Sequence, residues 1–145
     1  MPLHAVAYSS VARPDLADAA LDRIVADATA FNRVAGVSGA LMFDGTRFVQ
    51  YIEGPRDGLD SVFQRIVNAR AHTQLQVLAR MPLKARWFPR WSMTSRLSEP
   101  EVLDGILLAR WAGFDPLHSD GFAALLQAWT GGQGEIEPAA VMLGS

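Results

Sequence analysis

The chain has 145 residues, 50% of them hydrophobic and 19% charged, enough for one globular domain with a real core and too few to expect two. Lys and Arg number 13 against 15 Asp and Glu, a net charge of -2 with no basic block, which argues against nucleic acid as a partner. There is no cysteine, so disulfides and thiolate chemistry fall away, and the scattered His4, His72 and His118 lack metal-ligand spacing.

The N-terminal Met1-Pro2-Leu3-His4 has neither the basic region nor the apolar run of a signal peptide. No stretch approaches membrane-spanning length, so the expected location is cytoplasmic. Residues 3–10 alternate as a first strand, with Val6 and Tyr8 on one face and Ala5 and Ala7 on the other. Over 15–35 the apolar Leu21, Ile24, Val25, Ala28, Phe31 and Ala35 recur at helical intervals, and Gly36 supplies a stop. Asn32 lies one turn after Ala28, which sets an amide close to the buried stripe.

Segments 38–43 and 46–53, joined by Asp44-Gly45, read as an antiparallel hairpin. In its second strand Phe48, Gln50 and Ile52 share one face while Val49 and Tyr51 take the other. Burying a bare carboxamide costs on the order of a few kcal/mol, so Gln50 must meet a polar side chain, a water or a ligand. Gly54-Pro55 opens a second helix with Leu59, Val62, Phe63, Ile66 and Val67 as its buried face, flanked by Arg65 and His72. Residues 74–83 make a fourth strand, 86–89 a turn, and 90–95 a fifth strand with Trp91 and Met93 on one face, Ser92 and Thr94 on the other.

Ser98 and Glu101 have capping-box spacing at the start of a helix over 98–110. After a break at 113–116, a last helix over 119–130 presents Phe122, Leu125, Leu126 and Trp129, a face suited to an exposed sheet surface or a dimer. From Gly131-Gly132-Gln133-Gly134 onward flexibility is expected. The order βαββαββ predicts an α+β, ferredoxin-like sheet with two helices on one face, plus a C-terminal helical extension of two helices. The expected divisions are 1–97 for the domain, 98–131 for the extension and 132–145 for the tail.

With Tyr8, Asn32, Gln50, Trp91 and Met93 in this order and spacing, the chain resembles the BLUF family of flavin-binding blue-light sensors, in its short stand-alone form. The matching segments are Ala7-Tyr8-Ser9-Ser10, Asn32-Arg33-Val34-Ala35-Gly36-Val37-Ser38-Gly39, Phe48-Val49-Gln50-Tyr51-Ile52-Glu53-Gly54 and Arg86-Trp87-Phe88-Pro89-Arg90-Trp91-Ser92-Met93. They span roughly the first two-thirds of the chain. The resemblance implies a noncovalent FAD, with FMN or riboflavin as its shorter equivalents, slotted between the two helices and edge-on to the sheet. Asn32 then meets the polar pyrimidine edge, and Gln50 stands between Tyr8 and the C4=O and N5 edge. Ile24, Ala28, Phe31, Leu41, Phe48 and Ile66 line the slot, and Arg65 and His72 approach the carbonyl edge or the ribityl-phosphate arm.

The implied activity is photochemical rather than enzymatic. Tyr8 passes an electron and a proton by way of Gln50, whose amide ends rotated or tautomerised; Trp91, Ser92 and Met93 rearrange; and the fifth strand and C-terminal helices carry the signal to an unidentified partner protein. A homo-oligomer of at least two subunits is implied, with no effector domain in the roughly fifty remaining residues. The chain departs from the family at Phe31, where many members carry a second Asn, and at Ala69-Arg70-Ala71-His72, where Asp-Pro-Arg-His is frequent. Both changes weaken expected flavin contacts.

Each residue also has a plainer reading when taken singly. Tyr8 suits a half-buried strand, Asn32 a helix C-terminus, and Trp91 and Met93 ordinary packing; Arg65 could pair with Asp57 or Asp60, and His72 could be a helix C-terminal cation. Two other classes share the fold. One is a ferredoxin-like protein-interaction module with weakened or lost flavin binding. The other is a small hydrolase of acylphosphatase type, which needs a glycine-rich anion loop after the first strand, whereas Ser9-Ser10-Val11-Ala12-Arg13-Pro14 contains no glycine.

Overall fold

In the computed structural model the described residues are 2–14, 18–69, 72–89 and 94–131. Along the chain they form β1 (Leu3–Ala12), α1 (Asp18–Ala35), β2 (Ser38–Phe43), β3 (Arg47–Pro55), α2 (Arg56–Val67), β4 (His72–Leu83), β5 (Thr94–Leu97), α3 (Pro100–Leu108) and α4 (Asp120–Gly131). The sheet has the order β4-β1-β3-β2-β5. β1 pairs antiparallel with both β3 and β4, β2 pairs antiparallel with β3, and β5 adds parallel to β2. The hairpin between β2 and β3 turns at Gly45, whose φ of 96° suits glycine, and Asp44 Oδ1 accepts the amide protons of Thr46 and Arg47.

Strand alternation sorts side chains onto two buried faces. Val6, Tyr8, Leu41, Phe48 and Ile52 look toward α1 and α2, where Leu59 and Val62 meet them. Ala5, Ala7, Ala40, Met42, Val49 and Tyr51 look the other way, onto Leu103 and Ile106 of α3 and Phe122, Leu125 and Trp129 of α4. The apolar stripe of the last helix is therefore spent on the back of the sheet, each large side chain contributing about 1.5–3 kcal/mol by leaving water. The two front helices touch closely at Gly58, where a Cβ would lie 2.0 Å from the carbonyl oxygen of Ala35. This contact fixes the separation of the elements that wall the site.

Several boundaries differ from the sequence-based expectation. The first strand runs on to Ala12 because it pairs with β4 as far as Ala12 opposite His72. That same pairing makes His72 the first residue of a strand rather than a helix-end cation. Pro55 is the N-cap of α2, at the helix opening expected of it, whereas Val67, counted on the buried face, is 48% exposed at the last turn, beyond the sheet's cover. The capping box does not form: Glu99 is the N-cap of α3, with no side-chain hydrogen bond, because the Ser98 amide donates to Phe43 and prolongs the β5 ladder.

The third helix ends at Leu108 rather than Arg110. The described part of the fifth strand extends to Leu97. From it Arg96 donates to the carbonyls of Ala128 and Trp129 at the end of α4 and lies 4.5 Å above the Trp129 ring. The expected start of α1 at 15–17 and the tail 132–145 lie outside the described residues.

Candidate functional site

Tyr8 and Gln50 are direct partners across β1 and β3, so both point from neighbouring backbones into the space under α1 and α2. That space is a cavity of about 570 Å³, within the roughly 300–1,000 Å³ of small-molecule and cofactor pockets. Ile24, Ala28 and Asn32, at successive helical turns, bring one wall from α1; Val62, Arg65 and Ile66 bring another from α2; Leu41 and Phe48 form the floor. Tyr8 is buried edge-on to Phe63, with ring centroids 6.1 Å apart, and 6.3 Å from the His72 ring. Burial pushes its phenol far above the ordinary value.

The polar groups are few and placed around an apolar interior. Asn32 and Gln50 are both buried, and each carboxamide can donate and accept at once. His72 Nε2 lies 2.9 Å from the Ile66 carbonyl. Two atoms on the cavity wall, Ser10 Oγ and His72 Nδ1, are buried with no hydrogen-bond partner among the described residues. Arg65 stands at the rim, 4.7 Å over the Phe31 ring and 3.5 Å from the Asp27 carbonyl. It therefore pairs with neither Asp57 nor Asp60; Asp60 instead bonds Arg80.

Of the residues singled out from sequence, Tyr8, Ile24, Ala28, Asn32, Leu41, Phe48, Gln50, Arg65, Ile66 and His72 all line this one cavity. Phe31 does not: one residue before Asn32 on α1, it is turned outward, 37% exposed, as a platform for Arg65. Trp91, Ser92 and Met93 lie outside the described residues. Ser10 was missed although it shares the parity of Tyr8 two residues on. An apolar-walled space edged by two carboxamides and two unmet polar atoms fits a planar heteroaromatic group with polar edges.

The family described as BLUF, sensors of blue-light using FAD, matches residues 3–94. The chain belongs to the BLUF family. A photoactivated adenylate cyclase subunit beta of Euglena gracilis is 31% identical over 98 residues, 67% of this chain and 11% of that protein, so the chain spans about a ninth of the length of that relative. The dark-state structure of BlrB, a BLUF protein, has 32% identity and a TM-score of 0.64, covering 66% of this chain and 73% of that one. BlrP1 of Klebsiella pneumoniae, described with FMN and cyclic diGMP, has 30% identity and a TM-score of 0.61 over 73% of this chain and 28% of that one.

Behind the cavity, the same BLUF strand carries a second polar node on the opposite face. Glu53 is fully buried. Its carboxylate accepts from the Tyr51 hydroxyl and the Trp87 and Phe88 amides, all at 2.7 Å, and from the Ser38 hydroxyl at 3.2 Å. Burial raises its pKa above the ordinary carboxylate value, while these donors pull the other way. Arg86 adds bonds to Ser38 Oγ and the Gly36 carbonyl. This node pins residues 86–88, which lead toward the 90–93 segment, to the strand that bears Gln50.

Proposed function

We propose that this BLUF chain is a blue-light photoreceptor that holds FAD noncovalently in the cavity. Asn32 and Gln50 are the residues suited to the polar edge of the ring, Ile24, Ala28, Leu41, Phe48 and Ile66 to its apolar surfaces, and Arg65 and His72 to the outer carbonyl edge or the arm. The FMN in the BlrP1 structure supports a flavin of this kind. When bound, the flavin supplies absorption of blue light and, once excited, oxidising power.

Tyr8 is the residue that gives up an electron together with its phenolic proton. Its burial keeps that proton in place in the dark. Gln50, directly across the strand pair, offers an acceptor on one side of its amide and donors on the other; rotation or tautomerisation exchanges what it presents. The altered hydrogen bonding passes to Trp91, Ser92 and Met93, then through β5 and the C-terminal helices to a partner protein. The chain makes no bond to a substrate and works as a homo-oligomer of at least two subunits.

The observation that carries this reading is the placement of Tyr8 opposite Gln50 on the wall of a cofactor-sized cavity. The test is an absorption spectrum before and after blue illumination. A small reversible red shift is expected, lost in Tyr8→Phe and in Gln50→Leu. A colourless protein that releases no flavin on heating refutes the reading and leaves an interaction module on the same fold.

A further inference from the structure

The C-terminal end of α1 is closed by a side chain from far along the sequence. Carbonyls in the last turn of a helix lack intrahelical partners and must find others. Here the Val37 amide donates to the Asn32 carbonyl at 2.8 Å and the Gly36 amide to the Arg33 carbonyl at 3.3 Å, with Gly36 at a φ of 73°. The carbonyl of Gly36 itself receives Arg86 Nη2 at 2.7 Å. A guanidinium at this place also suits the negative end of the helix dipole.

The other arm of the same fork reaches the sheet. Arg86 Nη1 donates to Ser38 Oγ at 2.9 Å and lies 3.5 Å from the Glu53 carbonyl oxygen, and Ser38 and Glu53 are themselves partners across β2 and β3. Arg86 is held in turn, because the Trp87 and Phe88 amides that follow it donate to the buried Glu53 carboxylate. Gly54 lets the end of α1 and β3 approach: a Cβ there would lie 2.8 Å from the Gly36 carbonyl oxygen and 3.0 Å from Val37 Cγ2. The planar fork fixes the spacing across this contact, which a lysine, a point charge on a flexible stem, does not reproduce.

The two elements joined in this way each carry a carboxamide of the cavity wall. Asn32 lies one turn before Gly36 on α1, and Gln50 lies on β3 just before Glu53. Both line the cavity and are buried. Arg86 does not line it, so its influence there is exerted from outside.

We propose that Arg86 is a positioning residue for the ligand edge held between Asn32 and Gln50: by joining the Gly36 carbonyl to Ser38 and Glu53, it sets the spacing of the two carboxamides. The inference rests on the flavin reading for the identity of what is bound. Because Arg86 touches no ligand, its effect on binding passes through Asn32 and disappears when that side chain is removed.

The experiment is a double-mutant cycle of Arg86→Lys and Asn32→Ala, read as the dissociation constant of FMN from quenching of its fluorescence on titration with protein stripped of its cofactor. Arg86→Lys is expected to weaken FMN about tenfold in the wild-type background and less than about twofold in the Asn32→Ala background. Equal losses in both backgrounds overturn the proposal, since that is what general loosening of the fold produces, and no loss in either overturns it too. A second readout needs no flavin. Hydrogen exchange at the Val37 amide, which donates to the Asn32 carbonyl, is expected to speed up about tenfold in flavin-free Arg86→Lys, and unchanged exchange overturns the tie. If Arg86→Lys does not fold, Ser38→Ala, which keeps the guanidinium and removes one of its acceptors, takes its place in the cycle with the same criteria. A wild-type protein that binds no FMN overturns the flavin reading and the positioning role together, whereas FMN binding with additive effects overturns the positioning role alone.

Discussion

Replacing Glu53 by Gln exchanges one carboxylate oxygen for an NH2 group of nearly the same size, so the packing is kept and the polarity of one hydrogen-bonding position is reversed. Oε1 receives the Trp87 amide and the Tyr51 hydroxyl; Oε2 receives the Phe88 amide and the Ser38 hydroxyl. A glutamine oxygen can serve one of these pairs. Its NH2 then faces the other, and of that pair a hydroxyl can turn to accept whereas a backbone N–H cannot. Phe88 is fully buried, so water does not rescue its amide.

A hydrogen bond to a charged group contributes about 1.5–3 kcal/mol, and a stranded buried donor costs about 1–3 kcal/mol. Against this, the variant no longer buries a charge, which offsets part of the loss. A net destabilisation of about 2 kcal/mol is expected. With a urea slope of about 1–3 kcal/mol/M, the unfolding midpoint drops by roughly 1 M. A shift below about 0.2 M would refute the assignment of the node as an anchor between β3 and the 86–88 segment.

The same carboxyl gives a pH dependence. Its folded pKa is raised by burial, so its contribution is fully present below the unfolded pKa and is lost as pH rises through the folded one. Urea titrations between about pH 4 and pH 7 are expected to show the stability advantage of wild type over Glu53→Gln growing toward acid; a flat or opposite trend contradicts the raised pKa. Gly58→Ala places a Cβ 2.0 Å from the Ala35 carbonyl oxygen, a backbone atom that cannot rotate away. It should cost about 1–3 kcal/mol and weaken flavin binding by parting α1 from α2; a thermal melt and a flavin titration read both, and unchanged values in both refute the close contact.

Much of the site was legible because strand parity and helical spacing are local rules. Tyr8 and Gln50 alternate predictably, and Ile24, Ala28 and Asn32 follow one helical stripe, so their convergence needed only the order of the elements. What local rules could not supply was pairing. The register of β4 against β1 makes His72 a strand residue, pairing with β3 and β4 together carries β1 past Ser10, and the ladder between Phe43 and Ser98 displaces the capping box.

Phe31 fails for a rotational reason, since a residue one step from Asn32 on a helix lies about 100° away from it. Glu53 was as legible as Gln50, a polar side chain in an apolar strand, yet the question of its partner leads across the sheet to 87 and 88, some thirty residues on, where spacing says nothing.

The last turn of α4 contains no basic residue of its own, and the cation that satisfies its terminal carbonyls comes from Arg96 on an edge strand. The end of one element is thus held by a hand extended from another. Among the described residues β5 is paired on one side only, with β2. A slip of β5 by a single residue, about 3.3 Å, would withdraw the guanidinium from both carbonyls and from the Trp129 ring at once. One side chain therefore ties the end of α4 to the seat of β5.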